Sequence, residues 1–124
     1  MRYQSKQYVR WDDLDAFMHV NNAVYLTYAQ EARFAWSGIL EMVVARAEVD
    51  FIAPIYEGNV FVDVELWVSS IGNSSFTMAY EIKFKGEIVA RITTVQVAVD
   101  MKTKKSSPLN DEQREFLTKY LETQ

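Results

Sequence analysis

From Val60 to Val99 the apolar residues of the chain recur at every second position. That is the repeat of strands half buried on a sheet, and it excludes a helical bundle for the larger part of the chain. In "NVFVDVELWVSS", Val60, Val62, Val64, Leu66 and Val68 share one face, with Asp63, Glu65 and Ser69 on the other. In "SFTMAYEIKF", Phe76, Met78, Tyr80, Ile82 and Phe84 alternate with Thr77, Glu81 and Lys83. "EIVARITTVQVAVDM" sets Val89, Val95, Val97 and Val99 against Ile88, Ala90, Ile92 and Ala98. It reads as apolar on both sides for part of its length, the pattern of a central strand. "MVVARAEVDFIAP" supplies another strand, closed by Pro54, and "SKQYVRW" a short first one.

Residues 22 to 39 break the period. Tyr25, Tyr28, Ala29, Ala32, Ala35, Trp36 and Ile39 recur at helical spacing, and the alanines let a helix axis come close to a sheet. Asn21 or Asn22 is the predicted N-cap. "NDEQREFLTKYLET" predicts a second, shorter helix, with Asn110 and Gln113 at capping-box positions and Phe116, Leu117, Tyr120 and Leu121 as its apolar face. The order is strand, long helix, four strands, terminal helix. The expected class is α+β: an antiparallel five-stranded sheet around one long central helix, as one domain over residues 1–124. The sheet's other face and its edges favour self-association.

Composition narrows the chemistry. The chain has 124 residues, 49% of them hydrophobic, enough for one core. A net charge of -4 argues against nucleic acid as a partner. With no cysteine and one histidine, a thiolate nucleophile, a cysteine-ligated metal and a multi-histidine metal site within one chain are all excluded. "MRYQSKQYVR" lacks the apolar run of a signal peptide, and no segment approaches the length of a membrane span. A cytoplasmic protein is expected. The four glycines, Gly38, Gly58, Gly72 and Gly86, fall where apolar patterns break, and none builds a phosphate loop.

Polar chemistry concentrates in "WDDLDAFMHVNNAVYLTYAQEAR", Trp11 to Arg33. The string D-x-D, then H-V-N-N, a tyrosine and later E-A-R resembles the N-terminal signature of hotdog-fold acyl-CoA thioesterases of the 4-hydroxybenzoyl-CoA thioesterase-like family. "RAEVDFIAPIYEGNV" is similar to the family's second strand and turn, "IGNSSFTMAYEI" to its third turn and strand, and "VARITTVQVAVDMKTKKSSPL" to its last long strand and exit. Nearly the whole chain is covered. There are two departures: Met18 stands before the histidine where members commonly carry glycine, and "SGILEMVV" makes a shorter connection after the helix than usual. That connection, around residues 38–43, bears on the mouth of the acyl pocket.

The resemblance implies that Asp15, matching the second aspartate of D-x-D, is the catalytic carboxylate. A position just before a helix favours its ionised form. It would act as general base on a water or attack the thioester carbonyl itself; the sequence leaves both branches open. First-turn amides around Asn21 to Ala23 are natural donors to the oxyanion. His19, Asn21 and Asn22 are the expected support, with Asn22 the better candidate to touch substrate. This chemistry requires no metal and no cofactor.

Each residue also has a plainer reading. An aspartate ahead of a helix, taken alone, is more often a cap than a catalyst. The matching string reverses that for Asp15 and does so less for Asp13. His19 is expected to orient the loop or bond the asparagines, and both asparagines are also consistent with pure capping. Tyr25, Glu31 and Arg33 are expected to be structural, with Glu31 near a partner's site in a dimer. Lys102, Lys104 and Lys105 of "MKTKK" are candidates for the phosphates of coenzyme A, although a solvated turn is the slightly favoured reading; Lys83, Lys85 and Arg91 are alternatives of the same grade. "GNSS" lines a pantetheine channel by analogy or is only a hairpin turn.

The resemblance implies hydrolysis of a fatty or aromatic acyl-CoA to free acid and coenzyme A, by a homodimer or homotetramer with its sites at the subunit interface, without nucleic acid or membrane. A carrier-protein thioester and a non-hydrolytic acyl-CoA binding module stay open on the same fold; the presence of Asp15 counts against the module. A hotdog dehydratase would use its histidine in another motif. A cone-shaped ligand-binding domain fits the pattern nearly as well, and only the resemblance separates the two.

Overall fold

The computed structural model describes residues 1–37 and 41–123. Its elements are β1 (Tyr3–Val9), a 3-10 turn (Trp11–Asp13), α1 (Val24–Trp36), β2 (Met42–Phe51), β3 (Val60–Ile71), β4 (Ser75–Phe84), β5 (Glu87–Asp100), β6 (Lys105–Ser106) and α2 (Asp111–Thr118). The sheet runs β1-β3-β4-β5-β2, antiparallel throughout, and β6 pairs with the end of β5. The sheet therefore has six strands and not the expected five. The extra one is two residues long, too short to carry a periodic signal, and it lies in the "MKTKK" segment, whose letters read as a solvated turn.

Alternation places the core. Val62, Val64, Leu66 and Val68 of β3 and Phe76, Met78, Tyr80 and Ile82 of β4 are buried on one face, and α1 covers that face with Tyr25, Tyr28, Ala29, Ala32 and Trp36. Each buried aliphatic side chain contributes about 1.5–3 kcal/mol relative to exposure. The opposite face carries ion pairs: Arg2 with Glu65, Glu81 and Glu122, Lys83 with Glu65, and Arg91 with Glu81. Lys83 and Arg91, weighed above as phosphate ligands, are thus engaged with acids, as is Lys85 with Glu57.

Several local expectations change. The N-cap of α1 is Ala23, and neither asparagine occupies that position. Asn21 acts two residues earlier, its Oδ1 accepting the Ala23 N–H at 3.0 Å, because an asparagine bonds its own backbone two residues on. Ala35 is exposed and Arg33 is buried, the reverse of the predicted stripe. Helix α1 ends at Trp36, where the Ser37 N–H returns to the Arg33 carbonyl at 2.9 Å. Ile39 and most of the short connection lie outside the described residues. The core face of β5 is half polar, with Thr94 and Gln96 buried beside Ala90, Ile92 and Ala98.

Helix α2 has the predicted capping box: Asn110 Oδ1 accepts from Gln113 N at 2.8 Å, and Gln113 Oε1 from Asn110 N at 2.9 Å. "GNSS" forms the β3–β4 hairpin turn, with Arg114 of α2 donating to the Gly72 and Asn73 carbonyls at 2.9 and 3.0 Å. Among the described residues no helix is long and apolar enough to cross a membrane.

Candidate active site

Between the 3-10 turn and α1 the chain makes a small hairpin. Leu14 bridges Val20, the Asp15 N–H donates to the His19 carbonyl at 2.9 Å, and the Met18 N–H donates to the Asp15 carbonyl at 3.0 Å. This is a tight turn followed by a residue in the left-handed region, Met18 at φ 63. Glycine is the usual occupant there, which gives the family's glycine a physical reason.

Two aspartates of the motif take different roles. Asp13 is 3% exposed and fully engaged. It forms an ion pair with Arg10 at 3.0 Å, accepts the Arg10 N–H at 3.0 Å and accepts the Tyr28 hydroxyl at 2.8 Å. It anchors the loop to α1. Burial, and then the adjacent carboxylate, push the Tyr28 phenol far above its ordinary value. Asp15 remains partly exposed: Oδ1 accepts the Phe17 N–H at 2.9 Å, and Oδ2 lies 3.4 Å from His19 Nδ1.

His19 borders a cleft of about 280 Å³. Its other walls include Asn22 and Tyr25 at the start of α1 and Phe51, Ile52 and Pro54 at the end of β2. Burial raises the Tyr25 phenol as well. Asp15 is not part of this lining in a single protomer; it stands against His19. Of the first-turn amides, the Asn21 N–H is used by the Asp13 carbonyl at 2.9 Å and the Ala23 N–H by the Asn21 side chain. The Asn22 N–H has no partner among the described residues. The expected three-residue donor region thus narrows to Asn22.

Lys102, Lys104 and Lys105 are exposed, just beyond β5. That end of β5 pairs with the start of β2, Met42 to Ala98, whereas the cleft lies at the finish of β2, where Phe51 pairs with Ala90. Eight residues of strand, about 26 Å, separate the two places within one chain.

The sequence reading missed a polar chain in the core. Arg33 Nη1 donates to the Tyr80 hydroxyl at 3.0 Å, Tyr80 Oη lies 2.7 Å from Thr94 Oγ1, Thr94 donates to Gln96 Oε1, and Gln96 Nε2 donates to the Phe76 carbonyl at 3.2 Å. The signal was present: Thr94 and Gln96 fall in phase with Ile92 and Ala98, on the core side of "ITTVQVAV".

An antiparallel sheet of this order closed over one long helix is the hotdog fold, and the chain falls in the class of thioester hydrolases built on it. The chain belongs to the thioesterase-like superfamily, which matches residues 9–117. It is 27% identical over 128 residues to the long-chain acyl-CoA thioesterase FadM of Escherichia coli (strain K12), covering 92% of this chain and 96% of that one. A thioesterase from Thermus thermophilus, solved with coenzyme A and Zn, is 32% identical with a TM-score of 0.84, over 92% of this chain and 95% of that one. A predicted thioesterase from Bacillus stearothermophilus, 24% identical, superposes with a TM-score of 0.90 over 100% and 99% of the two chains, a likeness of fold.

Proposed function

We propose that the thioester carbonyl of the substrate sits in the cleft at the start of α1, with Asp15 as the catalytic carboxylate, His19 as its hydrogen-bonded partner and the Asn22 N–H as oxyanion donor. The reaction is hydrolysis of acyl-CoA to free acid and coenzyme A. Water adds to the carbonyl carbon, its proton passes to the carboxylate, and the carbon–sulfur bond breaks as coenzyme A leaves. The observation that carries the assignment is the free Asn22 amide in the same cleft wall as His19, whose ring touches Asp15. The name of the FadM relative and the coenzyme A in the Thermus structure support a coenzyme A ester as substrate.

One observation favours a second reading of the same site. His19 lines the cleft and Asp15 does not, so His19 would take the proton and Asp15 would orient it.

The assembly belongs to the proposal. Strand β2 is an outer edge, exposed along most of its length, with Val43, Val44 and Phe51 all open to solvent. A homodimer joining two β2 strands would cover that edge and continue the sheet, and pairs of such dimers would give a tetramer. A two-fold antiparallel pair sets the start of one β2 beside the finish of the other. That carries Lys102, Lys104 and Lys105 of one protomer towards the cleft of its partner, where coenzyme A phosphates would meet them. A cytoplasmic location fits a soluble metabolite substrate.

The experiment is thiol release from a panel of acyl-CoAs by the wild-type protein and Asp15→Asn. Turnover that collapses in a folded, correctly assembled variant supports the assignment. No turnover on any ester, with acyl-CoA still bound, would move the reading to a binding module or a carrier-protein substrate.

A further inference from the structure

Arg33 is 4% exposed, and no ion pair among the described residues includes it. Its Nε is buried without a hydrogen-bond partner. A guanidinium does not shed its proton in a protein, so it cannot relieve burial by becoming neutral, as a lysine can. A buried charge without a counter-charge is strongly unfavourable unless something else supplies one.

The polar chain behind Arg33 does not supply it. Gln96 donates its amide to the Phe76 carbonyl and accepts the Thr94 hydroxyl proton; Thr94 is then left to accept from Tyr80, and Tyr80 to accept from Arg33. Every member of that chain is neutral. It satisfies one guanidinium nitrogen, and beyond the Phe34 ring, 5.8 Å from the guanidinium carbon, no acid among the described residues answers the charge.

In front of Arg33 lies a second cleft, of about 200 Å³, between α1 and β2. Gln30, Arg33 and Thr94 supply its polar lining, and Leu26, Ala29 and Ala47 much of the rest. The two clefts follow one another along one seam. Asn22 and Tyr25 of α1 face Phe51 and Pro54 at the first, and Leu26 to Arg33 face Ala47 and Val44 at the second. From Asn22 to Arg33 is eleven residues, about 16 Å along a helix.

We propose that the second cleft is a subsite for a carboxylate at the far end of the acyl chain, with Arg33 as its counter-ion. The preferred substrates are then coenzyme A monothioesters of α,ω-dicarboxylic acids. This rests on the placement of the thioester at Asn22. An extended chain advances about 1.2 Å per bond, so a span of about 16 Å, less the reach of the arginine side chain, selects acids of about ten to twelve carbons. A planar guanidinium can hold a carboxylate through two parallel bonds, here once the side chain turns its buried, unpartnered Nε–H towards the cleft. Ala29 and Ala47 leave room for methylenes in the second cleft, and the Tyr25–Phe51 ring contact at the first has to open for the chain to pass between the two. A simple fatty acyl group of the same length would leave the buried charge unanswered, so it would be the poorer substrate.

The test compares hydrolysis of the dodecanedioic acid monothioester with that of dodecanoyl-CoA, for the wild type and for Arg33→Gln. The ratio of kcat/KM for the two esters is read within each protein, so a general loss of activity cancels. We expect a ratio of about tenfold or more in favour of the diacid in the wild type and near one in Arg33→Gln. A wild-type ratio near one, or a ratio unchanged in the variant, overturns the subsite; pairing of Arg33 with a carboxylate of a partner subunit would give the former. A second measurement needs no variant. Free dodecanoate, which carries one such chain-end carboxylate, should bind the wild-type protein at least about tenfold more tightly than the uncharged 1-dodecanol, and equal binding overturns the proposal. Hydrolysis of neither ester would count against the first cleft, while the free acid against the alcohol would still decide the second.

Discussion

Asp15 Oδ2 stands 3.4 Å from His19 Nδ1 across the hairpin, and the Val20 carbonyl lies 3.4 Å from the same nitrogen. Two acceptors face Nδ1, so the proton of a neutral imidazole belongs there and Nε2 keeps its lone pair. Asp15 is held in turn, because its Oδ1 accepts the Phe17 amide. The pair is therefore preset before substrate arrives. If Asp15 is the catalytic carboxylate, Asp15→Asn lowers kcat by about 10²- to 10⁴-fold with KM little changed, and His19→Gln lowers it by much less. Thiol release under saturating substrate reads both. The reverse order would make His19 the base and Asp15 its orienting partner.

Met18 occupies the left-handed region at φ 63, where a side chain costs about 1–2 kcal/mol. Glycine removes that cost but adds about 0.4–1 kcal/mol of unfolded-state freedom. Met18→Gly should stabilise the protein by about 0.5–1 kcal/mol, seen as a higher urea midpoint at unchanged slope. A lower midpoint would mean that the half-exposed Met18 side chain makes contacts outweighing the strain.

Such backbone features explain what the sequence could and could not reveal. The strands of "NVFVDVELWVSS" and "SFTMAYEIKF" were legible because burial on one face imposes period two, and the α2 cap because its two side chains are close in sequence. The start of α1 was less legible: Asn21 and Asn22 are equivalent as letters, and only the path of the backbone decides which amide is left free. Arg33 reads as merely structural in the sequence because E-A-R carries no sign of burial. Its importance arises from Tyr80, Thr94 and Gln96, which are 47 or more residues away and brought together by strand pairing.

The Asp13–Tyr28 bond makes stability depend on alkaline pH. Burial and the neighbouring carboxylate raise the Tyr28 phenol, so the folded protein holds a proton that the unfolded chain releases near pH 10. The contribution is fully present below that pH and is lost as pH rises above it. Tyr28→Phe should cost about 1–3 kcal/mol at neutral pH, because a buried carboxylate loses a partner. It should also flatten the fall of stability between about pH 9 and 11, with Tyr25 accounting for the slope that remains. Denaturant midpoints across that range measure both effects, and an equally steep fall in the variant would show that Tyr28 is not its source.

If β2 is the dimer edge, a charge there should separate the protomers. Val43 is 52% exposed. Val43→Glu sets a negative charge at the start of one β2 beside the finish of the other, the end that carries the exposed Asp50, while in a lone protomer it only exchanges one exposed side chain for another. Sedimentation should show a shift towards monomer with the circular dichroism spectrum unchanged. An intact dimer would place the interface elsewhere.

Gly58 lies against the turn that leads into the site. A Cβ built there would come within 2.9 Å of Trp11 Cα and 3.3 Å of Trp11 N, which are backbone atoms and cannot rotate away. Gly58→Ala therefore has to displace either the segment after β2 or the Trp11–Asp13 turn, at about 1–3 kcal/mol. That turn carries Asp13, and the hairpin with Asp15 and His19 follows it directly. The displacement should accordingly reach the chemistry: a kcat loss of at least about tenfold for a shift of about 1 Å, while overall stability falls by only the amount above. Unfolding and thiol release on the same preparation separate the two. A variant that loses stability but keeps its full kcat would show that the hairpin is held by the Asp13 bonds to Arg10 and Tyr28 and does not depend on the packing of Gly58 against Trp11.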